Sequence, residues 1–223
     1  MNVVDFTGEI FPEVTMIEFL ALREPVFKGF VAVEQSQGGF DLDTDISDPR
    51  AQDYMRLLFG RMMEEFYEVQ SSGSSDHFRE ELIDIINFAT GMAFLTGVSA
   101  EGWMDWDMTG HSDHDGEWFG TRPSWIEGLE SSRYPNLSDD THQALGNLMY
   151  YTTWDFGKVL ERLRNRSWQN GVQSPNFSGS LLLNEALIEL FIGVSRFFDS
   201  REQFTWFLMA KHRVLEFRLE SNY

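Results

Sequence analysis

The residues best suited to chemistry are two pairs of acids in the first half of the chain. Glu65 and Glu68 stand three positions apart, and Glu81 and Asp84 repeat that spacing. In an α-helix this spacing places both carboxylates of a pair on one face, one turn apart. Only a short serine-rich segment, residues 71–76, separates the two regions. Neighbouring antiparallel helices would therefore bring four carboxylates towards one point.

Four convergent carboxylates repel one another unless a cation lies among them. Hard oxygen ligands without His or Cys suit Mg²⁺, and Mn²⁺ as a second choice. Because protein-bound Mg²⁺ usually completes its shell with waters and phosphate oxygens, the spacing indicates phosphate-ester or phosphoanhydride chemistry. The alternative is a set of solvated surface charges, since the chain has 36 acids. The apolar neighbours of Glu81 and Asp84 in ELIDIINF favour the metal interpretation.

The elements that must hold these acids are predicted from apolar spacing. A first helix runs from Pro12 to Pro25, and the Gly-rich segment from Val26 to Ser47 is expected to be irregular, with room for a short hairpin. Asp48-Pro49 predicts the start of the ExxE helix. Its core stripe comprises Met55, Leu58, Met62, Phe66 and Val69. The ExxD helix is predicted from His77 to Leu95, capped by Asp76 or Ser75, and its core face comprises Phe78, Leu82, Ile85, Ile86, Ala89 and Ala93.

The second half of the chain contains a long insertion and three more predicted helices. Residues 102–138 contain four of the seven tryptophans and show no helical or strand period. A helix is expected from residues 139–141 to about Arg166, and two more at Leu181–Phe198 and Glu202–Glu220. The sequence therefore predicts one all-α domain over residues 1–223, a helical bundle with a loop-rich insertion at about 100–180.

Composition excludes several classes of function. The formal net charge is −19, which excludes a broadly basic surface for nucleic acid. The chain has no Cys, so disulfides, thiolate metal sites and a Cys nucleophile are excluded. No signal-peptide pattern is visible, and the longest apolar stretch, Ile85 to Val98, is too short to span a bilayer. We therefore expect a cytoplasmic protein without membrane contacts.

The carboxyl terminus adds a small basic cluster to this acidic chain. Lys211 and Arg218 are seven residues apart, so they face one way on a helix, and Tyr223 ends the sequence. Together with the acid pairs, this order of residues resembles the all-α dimeric dUTPase/dCTPase family, among the MazG-like nucleoside triphosphate pyrophosphohydrolases. That family has ExxE and ExxD on successive helices and a terminal motif with Lys, Arg and Tyr. The match covers residues 54–98 and 181–223.

The resemblance implies an activity, a cofactor and a set of roles. Mg²⁺ would be bound by the four acids, and Glu65 or Glu68 would activate a water. Lys211, Arg218 and Tyr223 would hold the phosphates, while Asn87 and Phe88 would contact the base. A deoxynucleoside triphosphate, dUTP or dCTP by preference, would yield the monophosphate and pyrophosphate. The family also implies a homodimer.

The sequence departs from the family where base and ribose would be recognised. His212, Leu215, Leu219 and Asn222 replace the terminal motif's two Asn, its Gln and its Gly. The family's amino-terminal Gln/Asn contact to the base is absent from residues 16–27. The substrate could therefore be another dNTP.

Two other readings stay open. One is a family member that binds nucleotide without cleaving it. The other, from the net charge, is an acidic interaction protein such as a DNA mimic, with its acids spread over an exposed face.

Overall fold

A computed structural model describes residues 3–36, 46, 49–97, 141–163 and 179–221. A short 3₁₀ helix, Val3–Phe6, precedes six α-helices in these ranges. The helices are α1 (Met16–Ser36), α2 (Pro49–Ser71), α3 (Ser75–Phe94), α4 (Thr141–Arg162), α5 (Gly179–Ser195) and α6 (Arg201–Glu220). No strand occurs among the described residues, so the all-α prediction is confirmed.

The hairpin of α2 and α3 forms as its apolar pattern predicts. Every member of the predicted α2 stripe is buried, and the predicted α3 face is buried apart from the partly exposed Phe78. The predicted cap of α3, Asp76 or Ser75, is wrong, because Ser74 is the residue at the N-cap position. Its hydroxyl accepts a hydrogen bond from the His77 backbone N–H at 3.2 Å, which satisfies one of the otherwise unpaired amides of the first turn.

Helix α3 lies at the centre of the bundle. Twelve of its 20 residues are buried, and it packs against α1, α2, α5 and α6. Helix α5 is apolar on nearly all sides and packs between α3 and α4. This pattern is typical of a helix enclosed by others. Glu81 and Asp84 are therefore carried by a helix that packs against four others.

The predicted end of the first helix at Pro25 is wrong, as is the irregular structure expected directly after it. Helix α1 continues through Pro25 to Ser36. Proline inside a helix costs about 3 kcal/mol, because it removes one hydrogen bond and crowds the preceding turn. Val26, Phe27 and Val31 lie in the core. Burying three such side chains contributes about 1.5–3 kcal/mol each, which outweighs that cost.

Several predictions fall outside the described residues. They comprise the Asp48 cap, the remainder of the hairpin segment after residue 36 apart from Ile46, and the tryptophan-rich insertion. Helices α4, α5 and α6 lie within a few residues of their predicted bounds. None of the described helices combines the length and the apolar character needed to span a bilayer.

Candidate metal centre

The α2–α3 hairpin brings three carboxylates together. Glu65 lies six residues before the end of α2, and Glu81 lies six residues after the start of α3. The two residues thus lie at the same distance along their helices from the connecting loop, about 9 Å. Oxygen atoms of Glu65, Glu68 and Glu81 all lie within 4.8 Å of one another. Burial increases from the exposed Glu68, through the half-buried Glu65, to Glu81 with 7% exposure.

Burial and mutual repulsion make Glu65 and Glu81 harder to ionise in the absence of a cation. Burial raises the pKa of Glu65 to about 9, aided by a hydrogen bond with Glu81 and by the charges of Asp84, Glu81 and Glu68. Burial also raises the pKa of Glu81, although Glu65 as hydrogen-bond partner opposes that change. A cation would relieve this repulsion and favour the ionised carboxylates. The donor set, oxygen atoms alone, fits Mg²⁺ or Mn²⁺.

A histidine to which the sequence analysis assigned no role in the site contacts this cluster. His77 Nδ1 lies 2.9 Å from Glu81 Oε1. Its side chain is half exposed, and its charge, when protonated, lowers the pKa of Glu81. The spacing of four residues on one helix could have indicated this contact.

The fourth acid, Asp84, is held by a lysine from α6. Lys211 Nζ lies 2.5 Å from Asp84 Oδ2 and 3.1 Å from Glu80 Oε1, and the lysine side chain is only 6% exposed. Burial lowers the pKa of Lys211, but the two acids outweigh it and the net pKa is raised. Burial raises the pKa of Asp84 in spite of Lys211. Asp84 acts on the cluster through its charge, which raises the pKa of both Glu65 and Glu81.

Asn87, predicted to contact the base, is buried and engaged at both ends of its amide. Its Nδ2 lies 3.3 Å from Asp84 Oδ1, and its Oδ1 accepts a hydrogen bond from Arg23 Nε at 3.1 Å. Phe88, its predicted companion, is partly buried and packs against the core. Arg23 was missed by the sequence analysis, because a single arginine in LALREPVF has no spacing partner that would indicate a site.

The remaining predicted phosphate ligands lie on or beyond α6. Arg218 stands two turns after Lys211, about 10 Å along the helix, and is partly exposed. Tyr223 lies outside the described residues. His212, noted in the sequence only as a departure from the family motif, is 2% exposed and has its Nε2 at 3.2 Å from Glu216 Oε1.

An apolar groove of about 1050 Å³ lies between α2 and α4. The rings of Tyr150 and Trp154 stack on its border at 6.4 Å, and Lys158 Nζ lies 5.1 Å from the Trp154 ring centre. Residues of α2 that line the groove include Arg56 and Phe59. None of the three clustered acids lines it, so this surface is separate from the candidate metal centre.

The three clustered acids, the Asp84–Lys211 ion pair and the buried Arg23–Asn87 contact thus form one polar centre among α1, α2, α3 and α6. Comparison with known proteins finds no family model, no curated protein and no solved structure that matches the chain.

Proposed function

We propose that this protein is a metal-dependent hydrolase that converts a deoxynucleoside triphosphate, with dUTP or dCTP favoured, into its monophosphate and pyrophosphate. The observation that carries this proposal is the convergence of Glu65, Glu68 and Glu81 within 4.8 Å, beside the buried Lys211. Half-buried acids with a raised pKa are a poor choice for a solvated surface but suit a functional site. The resemblance to the dUTPase/dCTPase family supports the reaction and a homodimer. A cytoplasmic location stays a prediction from the sequence.

Glu65, Glu68 and Glu81 would hold Mg²⁺ or Mn²⁺, and Asp84 would add its charge from its place beside Lys211. When bound, the ion would polarise a phosphoryl oxygen and lower the pKa of a water. Glu65 or Glu68 would accept the proton that this water loses as it attacks phosphorus. Glu68 is the more exposed of the two and is therefore open to water.

Lys211 supplies a positive charge where the phosphates would lie. An ammonium group has three donors, and Asp84 and Glu80 take two of them. The third would bind a phosphate oxygen and stabilise the charge that builds up on the leaving pyrophosphate. Arg218 and Tyr223 are proposed to assist at the far end of the triphosphate, on the strength of the family resemblance.

Two alternatives predict different behaviour. The same centre could cleave another dNTP, because the positions that would recognise the base depart from the family pattern. An acidic protein that mimics DNA would instead need its acids spread over an exposed surface. The enclosed position of Glu81 favours the hydrolase over the mimic.

The deciding experiment measures pyrophosphate release from each dNTP and NTP with Mg²⁺, with Mn²⁺ and with EDTA. We expect metal-dependent turnover of at least one deoxynucleotide, and a loss of about 100-fold or more in Glu81→Gln. Glutamine keeps the shape of Glu81 and removes a costly buried charge, so the thermal midpoint of this variant should not fall.

Glu64→Gln is the matched control, because Glu64 neighbours Glu65 in sequence but pairs with the exposed Arg61 at 2.7 Å. This variant should retain its activity. Absence of turnover with every nucleotide, or full activity in Glu81→Gln, would contradict the proposal.

A further inference from the structure

Glu81 is the most buried of the three clustered acids, and its carboxylate makes contacts on two sides. One of its oxygens lies within 4.8 Å of oxygens of Glu65 and Glu68, and Glu81 Oε1 lies 2.9 Å from His77 Nδ1. Only 7% of Glu81 is exposed, so little water reaches the carboxylate. Its orientation therefore depends on contacts from the protein.

The contact with Glu65 cannot orient Glu81 once both residues bind an ion. After burial, the largest influence on the pKa of either group is the hydrogen bond between them, which raises the pKa of Glu65 and lowers that of Glu81. Glu65 is therefore the partner that carries the proton, and Glu81 accepts it. Because a carboxyl group must lose its proton to bind a metal ion, this hydrogen bond ends when both groups become ligands.

His77 is placed to contact Glu81 with or without an ion. Its backbone N–H donates to the Ser74 hydroxyl at 3.2 Å, which fixes the first turn of α3. Its ring reaches Glu81 one turn further along the helix, at a distance typical of N–H donors that face a carboxylate. Nδ1 carries a hydrogen both in the protonated ring and in the neutral tautomer that donates to a carboxylate, so this donor does not depend on the charge of His77.

We propose that His77 is a positioning residue: its Nδ1 donates to Glu81 Oε1 and holds the carboxylate in the rotation at which it binds Mg²⁺ or Mn²⁺ together with Glu65 and Glu68. The last torsion of a glutamate side chain is broad, so the carboxylate would turn more freely without this donor and bind the ion less tightly. Residues that orient metal ligands commonly change metal affinity by about 10–100-fold. This inference rests on the metal centre of the proposed function and assigns a role to a residue outside the four acids.

The alternative is an ordinary ion pair on the surface of the helix. His77 is half exposed and stands four residues before Glu81, a spacing that stabilises helices in general. Such a pair would contribute to the stability of α3 and leave the metal affinity unchanged. The two roles are separated when metal binding and stability are measured on the same variants.

The experiment measures binding of Mg²⁺ and of Mn²⁺ to the full-length protein by calorimetry, without nucleotide and at one pH. It compares the wild type with His77→Leu and His77→Asn. Leucine keeps the branch at Cγ but has no donor, whereas the amide nitrogen of asparagine occupies the position of Nδ1 and donates. We expect His77→Leu to weaken metal binding about 10-fold and His77→Asn to stay within about 3-fold of the wild type. The Mg²⁺ concentration for half-maximal turnover should rise in His77→Leu by the same factor.

Arg79→Leu is the matched control on the same helix. Arg79 lies two residues after His77 and pairs at 2.9 Å with Asp199, an acid outside the cluster. This control should lower the thermal midpoint of the metal-free protein and bind both ions as the wild type does. His77→Leu should show the reverse pattern, with weaker metal binding and a metal-free midpoint within about 2 °C of the wild type.

Two results would overturn the role of His77. One is equal metal affinity in the wild type and in His77→Leu. The other is a His77→Asn variant that binds the ions as weakly as His77→Leu, since the donor at Nδ1 would then be irrelevant. If His77→Leu does not fold, His77→Ala supplies the variant without a donor.

The remaining outcomes distinguish this inference from the proposed function. A wild type that binds neither ion contradicts both. Metal-dependent turnover together with an unchanged metal affinity in His77→Leu leaves the hydrolase and removes the role of His77. Weaker metal binding in His77→Leu that His77→Asn restores, without turnover of any nucleotide, supports the role of His77 and contradicts the hydrolase.

Discussion

At Glu65, burial and neighbouring acids act together on one carboxyl group. Its pKa is raised from 4.5 to about 9, chiefly by burial. Between these values the folded protein keeps a proton that the unfolded chain has lost. The free energy of unfolding of the metal-free protein should therefore fall as pH rises through this range. The raised pKa values of Glu81 and Asp84 act in the same direction.

We therefore predict that the thermal midpoint of the metal-free protein falls between pH 7 and pH 9. The fall should be smaller in Glu65→Gln, which has no proton to lose at that position. Added Mg²⁺ should raise the midpoint more at pH 9 than at pH 7, because the carboxylates must be ionised to bind it. Thermal scans of both proteins across this range test the prediction. The prediction would be contradicted if the thermal midpoint fell equally with pH in the wild type and in Glu65→Gln.

Lys211 offers a second test at the scale of one residue. Lys211→Met leaves Asp84 and Glu80 without their cation in a buried setting, and should cost about 3–5 kcal/mol in the free energy of unfolding. The double variant Lys211→Met/Asp84→Asn should recover part of this loss, since the carboxylate with the closer contact is then neutral. Urea denaturation measures both. Equal destabilisation of the single and double variants would count against the ion pair.

The sequence predicts the acids of this centre better than its cations. Glu65 and Glu81 each begin a pair of acids three residues apart, on either side of a short loop. Simple helix geometry therefore indicates that they meet. Arg23 reaches Asn87 across 64 positions in the chain. No periodic pattern encodes such a contact, because it depends on how α1 packs against α3.

Among the elements, the approach of α1 to α3 depends on a residue without a side chain. A Cβ atom built on Gly91 would lie 2.8 Å from Phe27 Cε2 and 3.3 Å from Leu58 Cδ1. Alanine here gains about 1 kcal/mol of helix propensity. It also forces a tightly packed aromatic ring to move, which costs about 1–3 kcal/mol. Whether Gly91→Ala stabilises or destabilises the protein therefore depends on how tightly α1 packs against α3.

We predict that Gly91→Ala lowers the free energy of unfolding by up to about 2 kcal/mol. Gly60→Ala is the matched control on α2, where nothing lies within 4 Å of the added Cβ, and it should raise the stability by about 1 kcal/mol. Chemical denaturation of both variants gives the comparison. Stabilisation by both substitutions would show that α1 moves away from α3 without cost.

Helices with a strong apolar period and clear boundaries, such as α2 and α3, are predictable from the sequence. Helix α1 is not, because Pro25 and Gly29 are local signals of a break, whereas Phe27 and Val31 stabilise the helix through distant contacts. Gly29 in fact marks a close approach to Leu219 of α6. A glycine that permits packing looks the same in sequence as a glycine that ends a helix.

At the scale of the whole molecule, the acids behind the net charge of −19 fall into two groups that respond differently to salt. Most acids contribute general self-repulsion, which added salt screens. The clustered acids lie within 4.8 Å of one another and are partly enclosed, so screening reaches them poorly. A divalent cation should consequently stabilise the protein at concentrations at which sodium chloride has little effect.

The three clustered acids all belong to one helical hairpin, residues 49–94, and this has a consequence for the order of folding. Contacts close in sequence form early, because little chain entropy is lost in closing them. An ion bound by the hairpin alone can bind before α5 and α6 have docked. We therefore predict that Mg²⁺ accelerates refolding more than it slows unfolding, as stopped-flow kinetics would show. The ion would then belong to the folding nucleus, and its scarcity would delay formation of the native state.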